Sequence, residues 1–442
     1  MINAAISPGL SWLGIARLGL VQAGLGSVVV LTTSTLNRVM VIELHLAALI
    51  PGVLVGLHYT VQVLRPRLGY GSDLGGRRTP WIVGGMAMLG MGAVGAALSV
   101  ALMVGHPVLG FVAALLSFLV VGVGVGAAGT SLLTLLAHRV DARLRAPAAT
   151  IVWLMMIAGI AVTSGIAGQL LDPFSITRLV AVLGAAGAVA FVVATLAVWG
   201  MEGAPAGRAP TVPGKGFTAA LREIWSEPQA RAFALFVFVS MLAYSSQELV
   251  IEPFAGAVFG LAPGQSASLT GLHHAGVLAG MAVVAISGFA AGGFGRAAMR
   301  GWTVGGCVAS AIAVMTLGAV GMAGPDAPLQ AAVLVLGVAN GAFAVAAIGA
   351  MMGLASSGRA SREGTRMGLW GAAQALAFGL GGLLGTGAAD LAKATLGAPD
   401  VAYAAVFAME AVLFLLAAGL ALNVFRTSAE QHRPGLAVGG AA

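Results

Sequence analysis

Three histidines stand inside long apolar runs: His58 in VGLHYTV, and His273 and His274 in TGLHHAG. Two amides, Asn340 in GVANGAF and Gln374 in GLWGAAQA, and one acid, Glu410 in FAMEAVL, are set the same way. Imidazole nitrogens and amide oxygens are single-point donors to a metal ion and equally good hydrogen-bond partners for a neighbouring helix, so residue type leaves both roles open. An ionisable group in an apolar span is a functional candidate by default. Glu410 lies about eight residues, or roughly 12 Å at helical rise, inside its run and needs a proton, a partner or a cavity.

A second group repeats along the chain. VIEL at 41–44 returns as VIEP at 250–253, so that Glu43 and Glu252 stand 209 positions apart (252 − 43), each closing an apolar run with an amide upstream, Asn37 and Gln247. Arg38 and Glu248 complete the set. Opposite charges at equivalent places predict a charged cluster that joins two repeat-related helices; independent contact of each residue with headgroups or water is the alternative.

The elements that carry these residues follow from composition. Of 442 residues 59% are hydrophobic and 8% charged, and mean hydropathy is +0.98. No water-soluble domain covers that much apolar surface, so the surrounding solvent is membrane lipid. The 66 glycines allow helices to approach backbone to backbone. Cys307 is the single cysteine, which excludes an intrachain disulfide. The first twenty residues lack a basic segment leading into a compact apolar core and cleavage site, and predict a retained N-terminus with Leu10, Trp12, Leu13 and Ile15 along the membrane surface before the first span. The formal charge of +7 is spread over short loops, which argues against a nucleic-acid partner.

Apolar windows of about 20 residues fall twelve times, beginning with 16–37 and 46–64 and ending with 402–424. The polar interval 201–230 divides them into an N-terminal six-helix half (1–200) and a C-terminal one (231–425), followed by a tail at 426–442. With both termini cytoplasmic, 19 of the 22 Lys and Arg fall inside and only Arg38, Arg178 and Lys393 outside, a strong positive-inside bias.

Between the second and third spans lies GYGSDLGGRR (69–78), a G-x-x-x-D-x-x-G-R-R pattern that resembles the cytoplasmic loop of the major facilitator superfamily. Gly69 permits close helix approach, Gly76 a tight turn, Asp73 a contact with a helix N-terminus, and Arg77 and Arg78 an interfacial grip. The resemblance implies an inner latch between the halves. Leu74 replaces the usual basic residue, and GGFGRAAMR (292–300) is a degenerate counterpart, so the latch is expected on one side only.

Three stretches, TLNRVMVIEL (35–44), QELVIEPFAGAVFG (247–260) and GLWGAAQA (368–375), with RTPW (78–81) and IVWLMMIAG (151–159), are similar to the PucC/LhaA branch of that superfamily. The resemblance covers nearly the whole chain. It implies an all-α, twelve-helix major-facilitator fold in the inner membrane of a phototrophic bacterium. It also implies a role in handling bacteriochlorophyll or a chlorophyll-type precursor during assembly of photosynthetic complexes. Light-harvesting polypeptides, reaction-centre assembly intermediates and a bacteriochlorophyll synthase are the implied partners. In that setting His58, His273, His274, Asn340 and Gln374 become candidate ligands to the pigment's magnesium, with interhelical hydrogen bonding as the competing role. Secondary transport of a small or lipid-like solute and a pigment-free scaffold are the two rival functions. Catalysis is not expected: there is no G-x-x-x-x-G-K-[ST] loop, and no nucleophile–base set shares a polar face.

Overall fold

The computed structural model describes residues 10–62, 77–140, 145–202, 225–290, 296–356 and 363–430. Among these residues the chain forms twelve main helices. The first six are α1 (Trp12–Glu43), α2 (Leu49–Val61), α3 (Thr79–Met103), α4 (Pro107–Arg139), α5 (Arg145–Leu170) and α6 (Ile176–Val198). The second six are α7 (Pro228–Phe259), α8 (Pro263–Ala290), α9 (Arg296–Ala323), α10 (Leu329–Ser356), α11 (Glu363–Leu396) and α12 (Pro399–Glu430). Eleven are long and apolar enough to span a membrane; α2, expected over 46–64, has 13 described residues.

Local chemistry sets the ends. Ser11 and Ser175 cap α1 and α6 by accepting from the N–H of Gly14 and Arg178. Proline opens α3, α4 and α7, where a missing N–H is harmless. Helix α1 begins at Trp12, so Trp12, Leu13 and Ile15 belong to the first turn of the spanning helix itself, and residues 1–9 lie outside the described residues. Ile15 is fully buried in the core, which corrects its expected placement along the membrane surface, while Trp12 and Leu13 face outward. One amphipathic turn continues into the span because its inner face finds a core to pack on.

The helix pairings repeat with a shift of six. Helix α3 packs on α4 and α6 as α9 packs on α10 and α12; α1 packs on α5 and α6 as α7 packs on α11 and α12. Two symmetric seams, α5 on α8 and α2 on α11, join the halves. At the first seam a Cβ on Gly271 would lie 2.9 Å from the Gly165 nitrogen, so glycine is what lets these backbones meet. Buried apolar residues form one core over Ile15–Met201, joined by Leu249, Val277 and Met281, and another over Ala230–Val424. Outward-facing Leu98, Ile312 and Leu415, each more than half exposed, meet lipid chains.

Of the expected loop motif, Gly69, Asp73 and Gly76 lie outside the described residues. Arg77 is exposed and Arg78, 7% exposed, precedes α3. The carboxylate at the α3 N-terminus is Glu202, which accepts from the backbone N–H groups of Arg78 and Thr79, the latter at 2.9 Å. Partial burial pushes the Glu202 carboxyl up, but bonds from the Thr79 hydroxyl and the Arg78 and Thr79 backbones, with the nearby Arg78 charge, outweigh it and hold the group below its ordinary value. At the same end Arg17 donates to the carbonyls of Leu196 (3.2 Å) and Trp199 (2.7 Å), closing α6 onto α1.

A carboxylate depressed on folding contributes stability that is present above its unfolded pKa and lost as pH falls through the folded one. Glu202→Gln should therefore lower stability at neutral pH by about 0.5–2 kcal/mol, the range of a lost helix cap, and should flatten the loss on acidification below the ordinary carboxylate range. Melting of both proteins in detergent across that pH interval checks this; identical acid profiles would contradict it.

Candidate functional site

Helix α1 is wound twice into π-helix, at Leu31–Thr35 and at Val39–Glu43. In an α-helix residues five apart lie about 140° apart around the axis. The wider π turn brings them nearly into line. That is why Arg38 Nη1 reaches Glu43 Oε1 of its own helix at 2.5 Å. Arg38 also crosses to the second half, donating to the Leu261 carbonyl and to Ser266 Oγ at 3.4 Å, where α7 turns into α8.

One residue earlier, Asn37 Nδ2 donates to the Leu249 carbonyl of α7 at 2.6 Å. Leu249 is four residues before Pro253, the proline inside α7. Proline has no N–H, so the Leu249 carbonyl loses its helical partner. Asn37 supplies the missing donor from the other half. A third crossing comes from Asp390 of α11, whose carboxylate accepts from the Ala48 and Leu49 N–H groups at 2.9 and 2.8 Å and caps α2. These contacts lie at one end of the bundle, the end where α1, α5, α7 and α11 finish. They clasp the halves there.

The expected charged cluster is therefore rearranged. Arg38 pairs with Glu43 within one helix, and its cross-half partners are a carbonyl and a hydroxyl rather than Glu248 or Glu252. Glu252, 1% exposed, accepts from Thr270 Oγ1 at 2.6 Å, and its second oxygen has no partner among the described residues. Gln247 is fully buried, and neither amide atom has a partner among the described residues. Glu252 feels the charges of both Arg38 and Glu248, and Glu248 also acts on Tyr244.

Below the clasp, aromatic side chains run across the interface of the halves. His58 and Tyr59 of α2 are in edge contact at 4.8 Å between ring centres. Tyr59 meets Phe378 of α11 at 5.3 Å, Phe378 meets Tyr244 of α7 at 6.1 Å, and Tyr244 meets His273 of α8 at 6.4 Å. Asn340 Nδ2 of α10 donates to His273 Nε2 at 3.3 Å, and Asn340 Oδ1 is buried with no partner among the described residues. His274 Nδ1 bonds the Thr270 carbonyl at 3.0 Å, which orients its ring. Along α7, Met241, Tyr244 and Glu248 share a face, and Gln374, one turn from Phe378, places its amide 3.9 Å from the Met241 sulfur. Tyr59, Tyr244, Phe378 and Glu248 are only half-buried although four helices surround them. Each keeps part of its surface open beside the contact between the halves.

The structure thus brings four ligand candidates, His58, His273, Asn340 and Gln374, to one aromatic layer. His274 turns to Thr270 and the neighbourhood of Glu252. Glu410 lies apart, inside the second half: it is fully buried, accepts from Ser246 Oγ at 2.8 Å, and its other oxygen has no partner among the described residues.

The chain matches the family described as PUCC protein over residues 35–429. The chain belongs to the PUCC family. A PUCC relative from Rhodobacter capsulatus, called "Bacteriochlorophyll synthase 44.5 kDa chain", is 52% identical over 94% of this chain and 96% of its own. "Protein PucC" of Cereibacter sphaeroides is 30% identical over 94% and 93%. Among solved structures, a bacterial homologue of the human lysosomal transporter Spinster superposes with a TM-score of 0.70 at 16% identity, over 96% of this chain and 98% of that one. The nucleoside transporter NupG gives 0.69 at 12% identity, over 93% and 100%. This PUCC chain therefore has the major-facilitator fold.

Two predictions test the clasp. Asn37→Ala leaves a buried carbonyl unmet and should destabilise the protein by about 1 kcal/mol. In a Pro253→Ala background the restored N–H takes over Leu249, so the same change should lose at least about half its effect; equal effects in both backgrounds would contradict the assignment. Arg38→Met should raise labelling of cysteines placed at the clasped end, and unchanged labelling and melting would count against a role for Arg38 there.

Proposed function

We propose that this protein holds bacteriochlorophyll, or a chlorophyll-type precursor, at the aromatic layer between its halves and passes it on during assembly of photosynthetic complexes. The observation that carries the reading is the aromatic layer, Tyr59, Phe378 and Tyr244, ending on the His273–Asn340 pair. Flat rings offer stacking faces for a macrocycle. A magnesium ion takes hard oxygen donors, and Asn340 Oδ1 is a buried oxygen without a partner. The names of the relatives agree with a pigment-linked role.

On this reading the chain is a pigment-handling partner rather than the catalyst of pigment synthesis; family and fold favour a transporter-like or assembly protein. Its partners are light-harvesting polypeptides, reaction-centre assembly intermediates and a bacteriochlorophyll synthase. The positive-inside bias of the loops supports a cytoplasmic position for both termini and the Arg78 end, with the inner membrane as the membrane of this reading. The halves, 1–200 and 231–425 joined through 201–230, then close on the outer side at the Arg38 clasp, and pigment enters from the cytoplasmic side.

The one-ended closure also favours a second reading, secondary transport by alternating access. Transport requires ligand-dependent exchange of accessibility between the two ends; a pigment holder keeps one state.

Protein purified in mild detergent from a pigment-producing host should carry a stoichiometric near-infrared band. His273→Leu and Asn340→Leu should lower pigment affinity by about tenfold, the equivalent of about 1.4 kcal/mol, while His106→Leu at an exposed turn should not. A colourless protein that takes up no added pigment would refute the reading.

A further inference from the structure

Two helices place Glu252 one turn beneath the Arg38 anchor. On α8, Ser266 contacts Arg38, and Thr270, one turn further on, donates to Glu252. On α7, a Cβ at Gly256 would lie 3.1 Å from Arg38 Nη2, and Gly256 is one turn after Glu252. Arg38 is already committed to Glu43, the Leu261 carbonyl and Ser266, so the guanidinium and Glu43 cancel as a pair. A further acid, Glu248, stands one turn from Glu252 on its other side, and its charge bears on Glu252 as that of Arg38 does. The remaining elements packed on α7 bring no uncommitted cation among the described residues. Helix α8 brings His273, which accepts from Asn340, and His274, whose Nδ1 bonds the Thr270 carbonyl. Helices α9 and α10 carry no acid or base in the halves nearest the clasp. Helix α11 brings Lys393, beside Asp390 and over the Tyr403 ring; α12 brings Asp400, Tyr403 and the Ser246-bonded Glu410.

Glu252 is 1% exposed, and among the described residues Thr270 is its donor while its second oxygen has no partner. A carboxylate enclosed in this way loses its hydration and gains one hydroxyl in exchange. A proton on the carboxyl removes that penalty. We infer that Glu252 is a proton-binding site filled while the clasp is shut: closing takes one proton from solvent onto the carboxyl, and opening admits water and returns it. By linkage, the state that binds the proton more tightly is favoured as pH falls, so acid tightens the clasp and alkali loosens it. The inference concerns the clasp and not what the aromatic layer holds, so it stands apart from the pigment reading. For the transport reading it makes the coupling ion a proton.

Full-length protein in detergent, in a Cys307→Ala background, is given a cysteine in place of Leu249, a second-half residue buried in the first-half core. Its rate of labelling by a small maleimide is divided by that of a cysteine in place of exposed His106, which cancels the ionisation of the thiol itself. The expected ratio rises from mildly acid to mildly alkaline pH, by up to about tenfold per pH unit where one proton leaves. Glu252→Gln, a fixed stand-in for the protonated acid, should hold the ratio at its acid value throughout. Thr270→Val removes the donor to the carboxylate and should move the rise to higher pH. A ratio independent of pH with Glu252 and Thr270 intact overturns the inference. So does a rise that persists in Glu252→Gln, or one that stays where it was in Thr270→Val. A rise kept in Glu252→Gln and lost in His274→Gln assigns the proton to the histidine and overturns it likewise. Valine is close to threonine in shape, so Thr270→Val decides the matter even if Glu252→Gln fails to fold.

Discussion

Backbone polar groups in lipid must be satisfied inside the protein, and Pro253 leaves the Leu249 carbonyl without its helical partner. Asn37 meets that carbonyl from the opposite half of the molecule. The bond fixes α1 against α7 and places Arg38, the next residue, where it reaches the corner of α7 and α8. Asp390 makes the matching contact from the second half to the first by capping α2. Below these contacts, Tyr59 of α2, Phe378 of α11, Tyr244 of α7 and His273 of α8 form an aromatic layer across the interface. The clasp and the layer are two consequences of one arrangement.

The two halves share a plan and differ where chemistry is done. Aligned on VIEL and VIEP, Leu44 of the first half corresponds to Pro253 of the second, and Arg38 to Gln247. Helix α1 accommodates its charged pair by π winding, whereas α7 gives up a hydrogen bond at proline. One half presents donors and the other presents a freed acceptor. Repeat-related positions thereby become complementary rather than equivalent, which a symmetric seam needs in order to hold without a buried ion pair between the halves.

Much of this was legible in the sequence for plain reasons. Span number follows from hydropathy, and the repeat from VIEL and VIEP. That Asn37, Arg38, His273 and Asn340 must each find a partner follows from how costly polar groups are in lipid. What escaped is what depends on helix rotation and long-range approach. Glu248 reads like a member of the Arg38 cluster, and it acts on Glu252, but its place on the α7 face also brings it to Tyr244. Tyr59, Tyr244 and Phe378 look like ordinary apolar filling until four helices assemble around them. Glu202 and Asp390 act as caps on helices far away in sequence, 123 and 341 positions from the amides they accept from; no local pattern announces such a bond. The proline of VIEP was a usable signal, since a proline within a span always leaves a carbonyl to be met.

The position of bound pigment is the central claim. The most direct measurement is protection of single cysteines from a small thiol reagent, in a Cys307→Ala background, with and without added bacteriochlorophyll a. Cysteine in place of Phe378 should label freely without pigment and be strongly protected with it, while cysteine in place of lipid-facing Ile312 should label equally in both. Equal labelling of both positions, with pigment demonstrably bound, would place the pigment outside the aromatic layer and contradict the account.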